Sequence, residues 1–208
     1  MRFRIFDVDD QIKLKKLSKV KKSFFSKKED LSLFHFYEVK KSMFHAVFHI
    51  TDEYLVGTKK SGNYLNVPFS QYINCFFFSD TKLMLIEEME DAYLKDITNY
   101  LNKKTGSIIN NYTLTKESLK SLVLKFNGLI KKIEYQDDFG DDYESEFMTY
   151  EQFLEINGKY TIEYISLNVG EQFISLYKNG RVSVDTSDEE FLLKFAEEVI
   201  YDLENSRT

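Results

Sequence analysis

Residues 31–50 read LSLFHFYEVKKSMFHAVFHI. The two runs LSLFHFYEV and MFHAVFHI are dense in aromatic and β-branched side chains, which suit a pleated, half-buried surface, and KKS between them supplies a polar turn. The stretch therefore predicts an antiparallel hairpin. Just downstream, YLVG and YLNV flank TKKSGN, a polar glycine-containing connection that predicts a second hairpin. Pro68 and Ser70 are expected to end that unit before two apolar runs, YINCFFF and LMLIEEM. With the alternating MRFRIFDV at the start, the first half of the chain reads as mostly antiparallel sheet.

Between these strands, Asp9 or Asp10 is placed to cap a helix reaching about Lys28. Leu14, Leu17, Val20 and Phe24 recur at helical spacing and lysines fill the other faces, so the segment reads as a basic amphipathic helix. After Met89 helices and strands alternate. A helix is expected over Glu90–Lys104 with Gly106 as its stop, then a strand in SIINNYTLT, a helix capped by Thr115 and ended by Asn127-Gly128, and a strand in LIKKIEY. An acidic loop follows, then strands in KYTIEYISL, QFISLY and RVSV, the last two joined by a type I′ turn at Lys178-Asn179-Gly180. Ser187 and Glu190 form a capping box for a final apolar-faced helix. The fold class expected is α+β: an antiparallel sheet-rich N-terminal half, a β-α-β-α-β stretch and a C-terminal ββα unit. Residues 1–80 and 81–208 form its two regions, as two domains or one continuous body.

The 208 residues are 43% hydrophobic and 16% aromatic, with 30% charged, which excludes a disordered chain because there is ample apolar material to offset ordering entropy. No apolar run reaches the roughly 18 residues that span a bilayer, and acids interrupt the N-terminal segment too early for a signal-peptide core. The lone Cys75 lies in an apolar run and reads as a buried, inert thiol, which fits a reducing cytoplasm. Only four of the 28 basic residues are arginine, tryptophan is absent, and Phe and Tyr are abundant. That skew fits an A/T-rich coding sequence, such as a low-GC bacterium or its phage. It also leaves little capacity for bidentate recognition of bases or phosphates.

Charge is segregated. Residues 11–28 carry eight lysines (13, 15, 16, 19, 21, 22, 27 and 28) and no acid, while residues 133–158 carry nine acids and no base, within a net charge of −6. Solvated surfaces would account for both. As function, Lys13, Lys15, Lys16, Lys19, Lys21, Lys22, Lys27 and Lys28 would contact nucleic-acid phosphates in a salt-dependent way, against a repulsive remainder. Alternatively Asp137, Asp138, Asp141, Asp142, Glu144 and Glu146 would dock an oppositely charged partner protein or a second copy of the chain. The basic helix has too narrow an apolar face to favour a membrane surface.

For chemistry, His35, His45 and His49 are the only histidines, and on strands they read as polar residues of the solvent side rather than a metal site. DDFGDDYESE lacks the spacing of an EF-hand, and its Asp-Phe-Gly is without the other kinase motifs. Glu38-Val39-Lys40 would place a carboxylate and a lysine on one strand face, the arrangement of magnesium-dependent nucleases, with Asp30, Asp7 or Asp9 as a further ligand. No phosphate-binding glycine loop or nucleophile elbow occurs, and no cofactor is expected. The leading expectation is a non-enzymatic cytoplasmic adaptor, compatible with a phage or phage-defence setting. It would dock a protein partner or itself through aromatic faces and segregated charge. The alternative is a nucleic-acid-binding protein, with a nuclease centred on Glu38 and Lys40 as its enzymatic form.

Overall fold

The computed structural model describes residues 1–20, 30–58, 60, 62 and 64–207. Among the described residues eleven strands form one antiparallel sheet: β1 (Arg2–Val8), β2 (Leu31–Lys40), β3 (Met43–Gly57), β4 (Tyr64–Phe78), β5 (Leu83–Glu87), β6 (Ile109–Asn111), β7 (Leu129–Gln136), β8 (Asp142–Met148), β9 (Thr161–Val169), β10 (Gln172–Tyr177) and β11 (Arg181–Val184). The spatial order is β2-β3-β4-β5-β1-β11-β10-β9-β7-β8, with β6 against the second half of β1. Helices are α1 (Gln11–Leu14), α2 (Asp91–Thr105), α3 (Lys116–Phe126), α4 (Tyr150–Lys159) and α5 (Glu189–Asn205), and a 3-10 turn (Lys15–Lys19) continues α1. The protein is thus a mixed α/β fold built on a large antiparallel sheet. The turn at residues 79–82, where the two expected regions meet, connects neighbouring strands of that sheet.

The alternation of side chains along the central strands explains both apolar runs. Phe3 and Ile5 of β1, Phe76 and Phe78 of β4, and Leu83 and Leu85 of β5 pack with α3, α4 and α5 on one face. Phe6, Val8, Cys75, Phe77, Met84 and Ile86 pack with α1, the 3-10 turn and α2 on the other. Strands covered on both faces read as continuous hydrophobic stretches. Away from this centre each half of the sheet keeps one bare face. Strands β2 to β4 are bare on the side opposite α2, and β11, β10, β9 and β7 are bare on the side opposite α3 and α5.

Several local expectations are corrected. Asp10, one of the two expected caps, caps the first helix through Ile12 N–H, but helical structure ends at Val20, whose backbone is extended. The remainder of the expected helix, residues 21–28, lies outside the described residues. Pro68 does not end a strand: β4 runs through it in unbroken register with β3. The N–H of Asn74 faces the Glu87 side chain on the β5 side, so six residues earlier position 68 faces the same, open edge, where a missing donor costs no ladder bond. The acidic loop is a hairpin, β7 to β8, followed by α4. The turn at Lys178–Gly180 has three residues with positive φ only at Gly180, a type I turn with a glycine bulge rather than type I′. Asp188, not Ser187, caps α5. The capping box belongs to α4, where Thr149 Oγ1 and Gln152 serve each other's backbone.

Candidate docking surfaces

β3 and β4 are each fifteen residues long, but β2 stops opposite Ile50 and β5 reaches β4 only at Cys75–Phe77. Their outer ends, Asp52–Gly57 and Tyr64–Ser70, therefore form a two-stranded arm that projects beyond the rest of the sheet. Its register pairs Tyr54 with Val67 and Val56 with Leu65, which puts these four on one face together with Phe69. This is the face that carries Phe48 and Ile50 in the core below. Helix α2 covers it there and begins at Asp91. Tyr93 in its first turn packs its ring 6.3 Å from Phe69 and donates its hydroxyl to Asp52 Oδ2 at 2.6 Å. That hydrogen bond lowers the Asp52 carboxyl and pushes the Tyr93 phenol up to about 12. Past this clamp the apolar stripe is bare: Tyr54 is 51% exposed, Val56 53% and Leu65 68%. An isolated two-stranded ribbon has no core of its own, so this stripe is apolar surface left in water.

The opposite face of β2 to β4 is aromatic and hydrogen-bonded. Phe34 packs against Tyr72 at 4.7 Å, His49 against Tyr72 at 4.8 Å, and His35 against Tyr37 at 4.6 Å. All three histidines share this face, as two-residue alternation expects for His45 and His49. Strand rise holds those two roughly 13 Å apart, and no set of metal ligands occurs among the described residues. His45 is tied into a chain. Nδ1 lies 2.9 Å from the Tyr37 hydroxyl, Nε2–H donates to Asn74 Oδ1 at 2.8 Å, and Asn74 Nδ2 donates to Glu87 Oε2 at 2.6 Å. The neutral imidazole accepts the Tyr37 hydroxyl proton at Nδ1. Burial, opposed by the Asn74 hydrogen bond, holds it below the usual histidine range. Between that lowered value and the ordinary 6.5, the unfolded chain binds the proton more readily than the folded one. Stability is therefore expected to rise with pH through this window, read as a higher melting temperature at about pH 7 than at about pH 5. His45→Gln is expected to flatten that slope.

The nuclease arrangement is not assembled. The register of β2 slips between Glu38, opposite Phe44, and Lys40, opposite Met43. Phe44 and Met43 face opposite sides of the sheet, so this bulge turns Glu38 and Lys40 to opposite faces. Glu38 accepts Ser42 N–H, Lys40 pairs with Glu197 of α5 at 3.2 Å, and Asp30 lies at the far end of β2. Asp7 pairs with Arg207, and Asp9 binds Lys13 and Ile108 N–H.

The described lysines of the segment lie at the surface, Lys15 and Lys16 exposed and Lys13 half-buried. Lys13 pairs with Asp9 at 3.0 Å, Lys15 sits over the Phe44 ring at 5.0 Å, and Lys16 donates to the Thr105 carbonyl at the C-terminus of α2. Lys19 is exposed, and Lys21, Lys22, Lys27 and Lys28 lie outside the described residues. The acids shape a hairpin. Asp137 accepts Phe139 and Asp141 N–H and the Tyr143 hydroxyl, which lowers its carboxyl, while Asp138, Asp141 and Asp142 are exposed around that turn. On β8 Glu144 joins Glu134 on Lys132, and Glu146 is exposed. Charges of this kind on an outer strand oppose pairing with another chain. Cys75 is buried, and burial pushes its thiol up to about 12, an unreactive state.

Sequence reading missed the arm because the pattern of 51–70 is that of an ordinary hairpin. The usable signal was the length of the two matching runs, which exceed any neighbour able to cover them. No protein-family model matches the chain, and a comparison with curated proteins finds no relative. Among the described residues, no helix is long and apolar enough to cross a membrane.

Proposed function

We propose that the protein is a docking module, and that the arm of β3 and β4 inserts its Tyr54–Val56–Leu65–Val67 face into an apolar groove of a different protein. The observation that carries this reading is the continuity of that stripe with the core beyond the end of α2. A helix covers the stripe at its base, and a partner surface would cover it further out. Pro68 removes a donor from the open edge of β4, so face-on contact is favoured over strand addition. Exposed aromatic side chains such as Tyr54 are the usual anchors of an interface. The adaptor would need no catalytic group of its own.

The test is site-specific photocrosslinking in the native host. Crosslinkers at positions 54, 56 and 65 are expected to trap one discrete species, insensitive to nuclease. Those at 53 and 66 on the opposite face, and at the exposed Leu124 of α3, should not. The variant Tyr54→Ser/Leu65→Ser should abolish the crosslink from position 56 with its melting temperature unchanged within a few degrees. A product of twice the protein's own mass would overturn the partner reading in favour of self-association. Crosslinking equal at position 124 would overturn docking by the arm.

A further inference from the structure

We propose that Arg2, Arg181, Ser183 and Tyr177, on the bare face of β1, β11 and β10, form a binding site for a phosphate monoester. The site is independent of the arm. The chain has only four arginines among 28 basic residues, and three of them, Arg2, Arg4 and Arg181, meet on this face. Register places Arg2 opposite Ser183, Arg4 opposite Arg181, and Arg181 opposite Tyr177. Arg2 is thus the diagonal neighbour of Arg181, within reach of two long side chains.

Arginines directly across from one another repel. Glu88, whose side chain is only 11% exposed, resolves this by accepting from Arg181 Nε and lying 3.6 Å from Arg4. Arg4 also binds Asp91 at 2.8 Å. Three guanidinium groups therefore face two carboxylates, and the surplus charge falls on the Arg2 side, since Arg2 has no ion-pair partner among the described residues. Arg181 is held in place by Glu88 and by the Tyr177 ring, 5.8 Å from its guanidinium carbon. That leaves its two terminal nitrogens for a ligand.

These groups line a cavity of about 100 Å³. Its free polar groups are donors: the Arg2 fork, the end of Arg181, and the Ser183 and Tyr177 hydroxyls. The one carboxylate, Glu88, is already engaged by two arginines. Such a set matches a tetrahedral oxyanion, and paired guanidinium forks bind one with a geometry lysine cannot supply. That arginine is concentrated here in a lysine-rich chain is the compositional mark of the site. Beside it Tyr164 packs on Tyr177 at 4.8 Å, an aromatic surface on which the organic part of an ester would lie.

The test uses the four arginine Nε–H resonances of the full chain, titrated with inorganic phosphate and with phenyl phosphate at constant ionic strength. Saturable shifts of Arg2 and Arg181 are expected, with Arg207 unmoved and phenyl phosphate bound several-fold more tightly. Arg2→Gln should weaken binding at least tenfold without moving the melting temperature. Unsaturable drift of all four resonances, or unchanged affinity in Arg2→Gln, would overturn the site. Equal affinity for the two ligands would overturn the ester and leave only free phosphate.

Discussion

Gly180→Ala is expected to destabilise the protein by about 2–5 kcal/mol, combining roughly 1–2 for a side chain in the left-handed region with roughly 1–3 for steric overlap. Gly180 has a φ of +82°, and a Cβ there would stand 1.9 Å from the Tyr112 carbonyl oxygen. The crowding has a cause in the ladder. Ile5 donates its N–H to Gly180 and accepts the N–H of Tyr112, because β1 changes partner at this residue from β11 to β6. Two chain segments are thus drawn to one residue, and neither can retreat without breaking a bond to β1. Gly106→Ala is the matched control. Its φ is +78°, but nothing lies within 4 Å of the added Cβ, so only the backbone cost of about 1–2 kcal/mol should appear. Urea denaturation of both variants measures the difference. Equal losses would show that the approach of Tyr112 relaxes freely.

Phe77→Ala should cost about 3–5 kcal/mol, in the range for deleting a buried aromatic ring. Phe77 is fully buried, stacked at 5.3 Å on Phe44 of β3 and 6.1 Å from Phe36 of β2. It therefore links three strands to the layer formed by α1, the 3-10 turn and α2. At roughly 2–4 °C per kcal/mol for a chain of this size, the melting temperature should fall by roughly 10 °C. Tyr54→Ala on the arm should leave it nearly unchanged, because that ring is 51% exposed. A comparable drop in both variants would mean that the arm contributes to the fold, contrary to its reading as a free docking element.

How far the sequence could be read depended on whether a feature was local. The hairpin of β2 and β3, the stop of α2 at Gly106 and the cap of α3 at Thr115 are short-range signals, and each lies where its residues indicate. The box Thr149–Gln152 was equally local but fell within a stretch whose acidity suggested a loop. The bulge that separates Glu38 from Lys40 was not legible, because a register slip depends on which strand lies alongside. The same holds for the meeting of Arg2 with Arg181, which rests on pairing between opposite ends of the chain. Burial on both faces of the central strands could be read only as "apolar", since periodicity does not say what covers each side.

The position of β1 has a consequence for how the molecule is made. Its neighbours are β5 on one side and, on the other, β11, which is synthesised long after β1. Until then β1 offers an unpaired backbone edge next to Phe3, Ile5, Phe6 and Val8, and β6 can shelter only its second half. Pairings this distant in sequence are slow to close, and such exposed strands invite association with other chains. The newly made chain therefore carries a long-lived sticky surface at β1, where a chaperone holding the nascent chain would have much to protect.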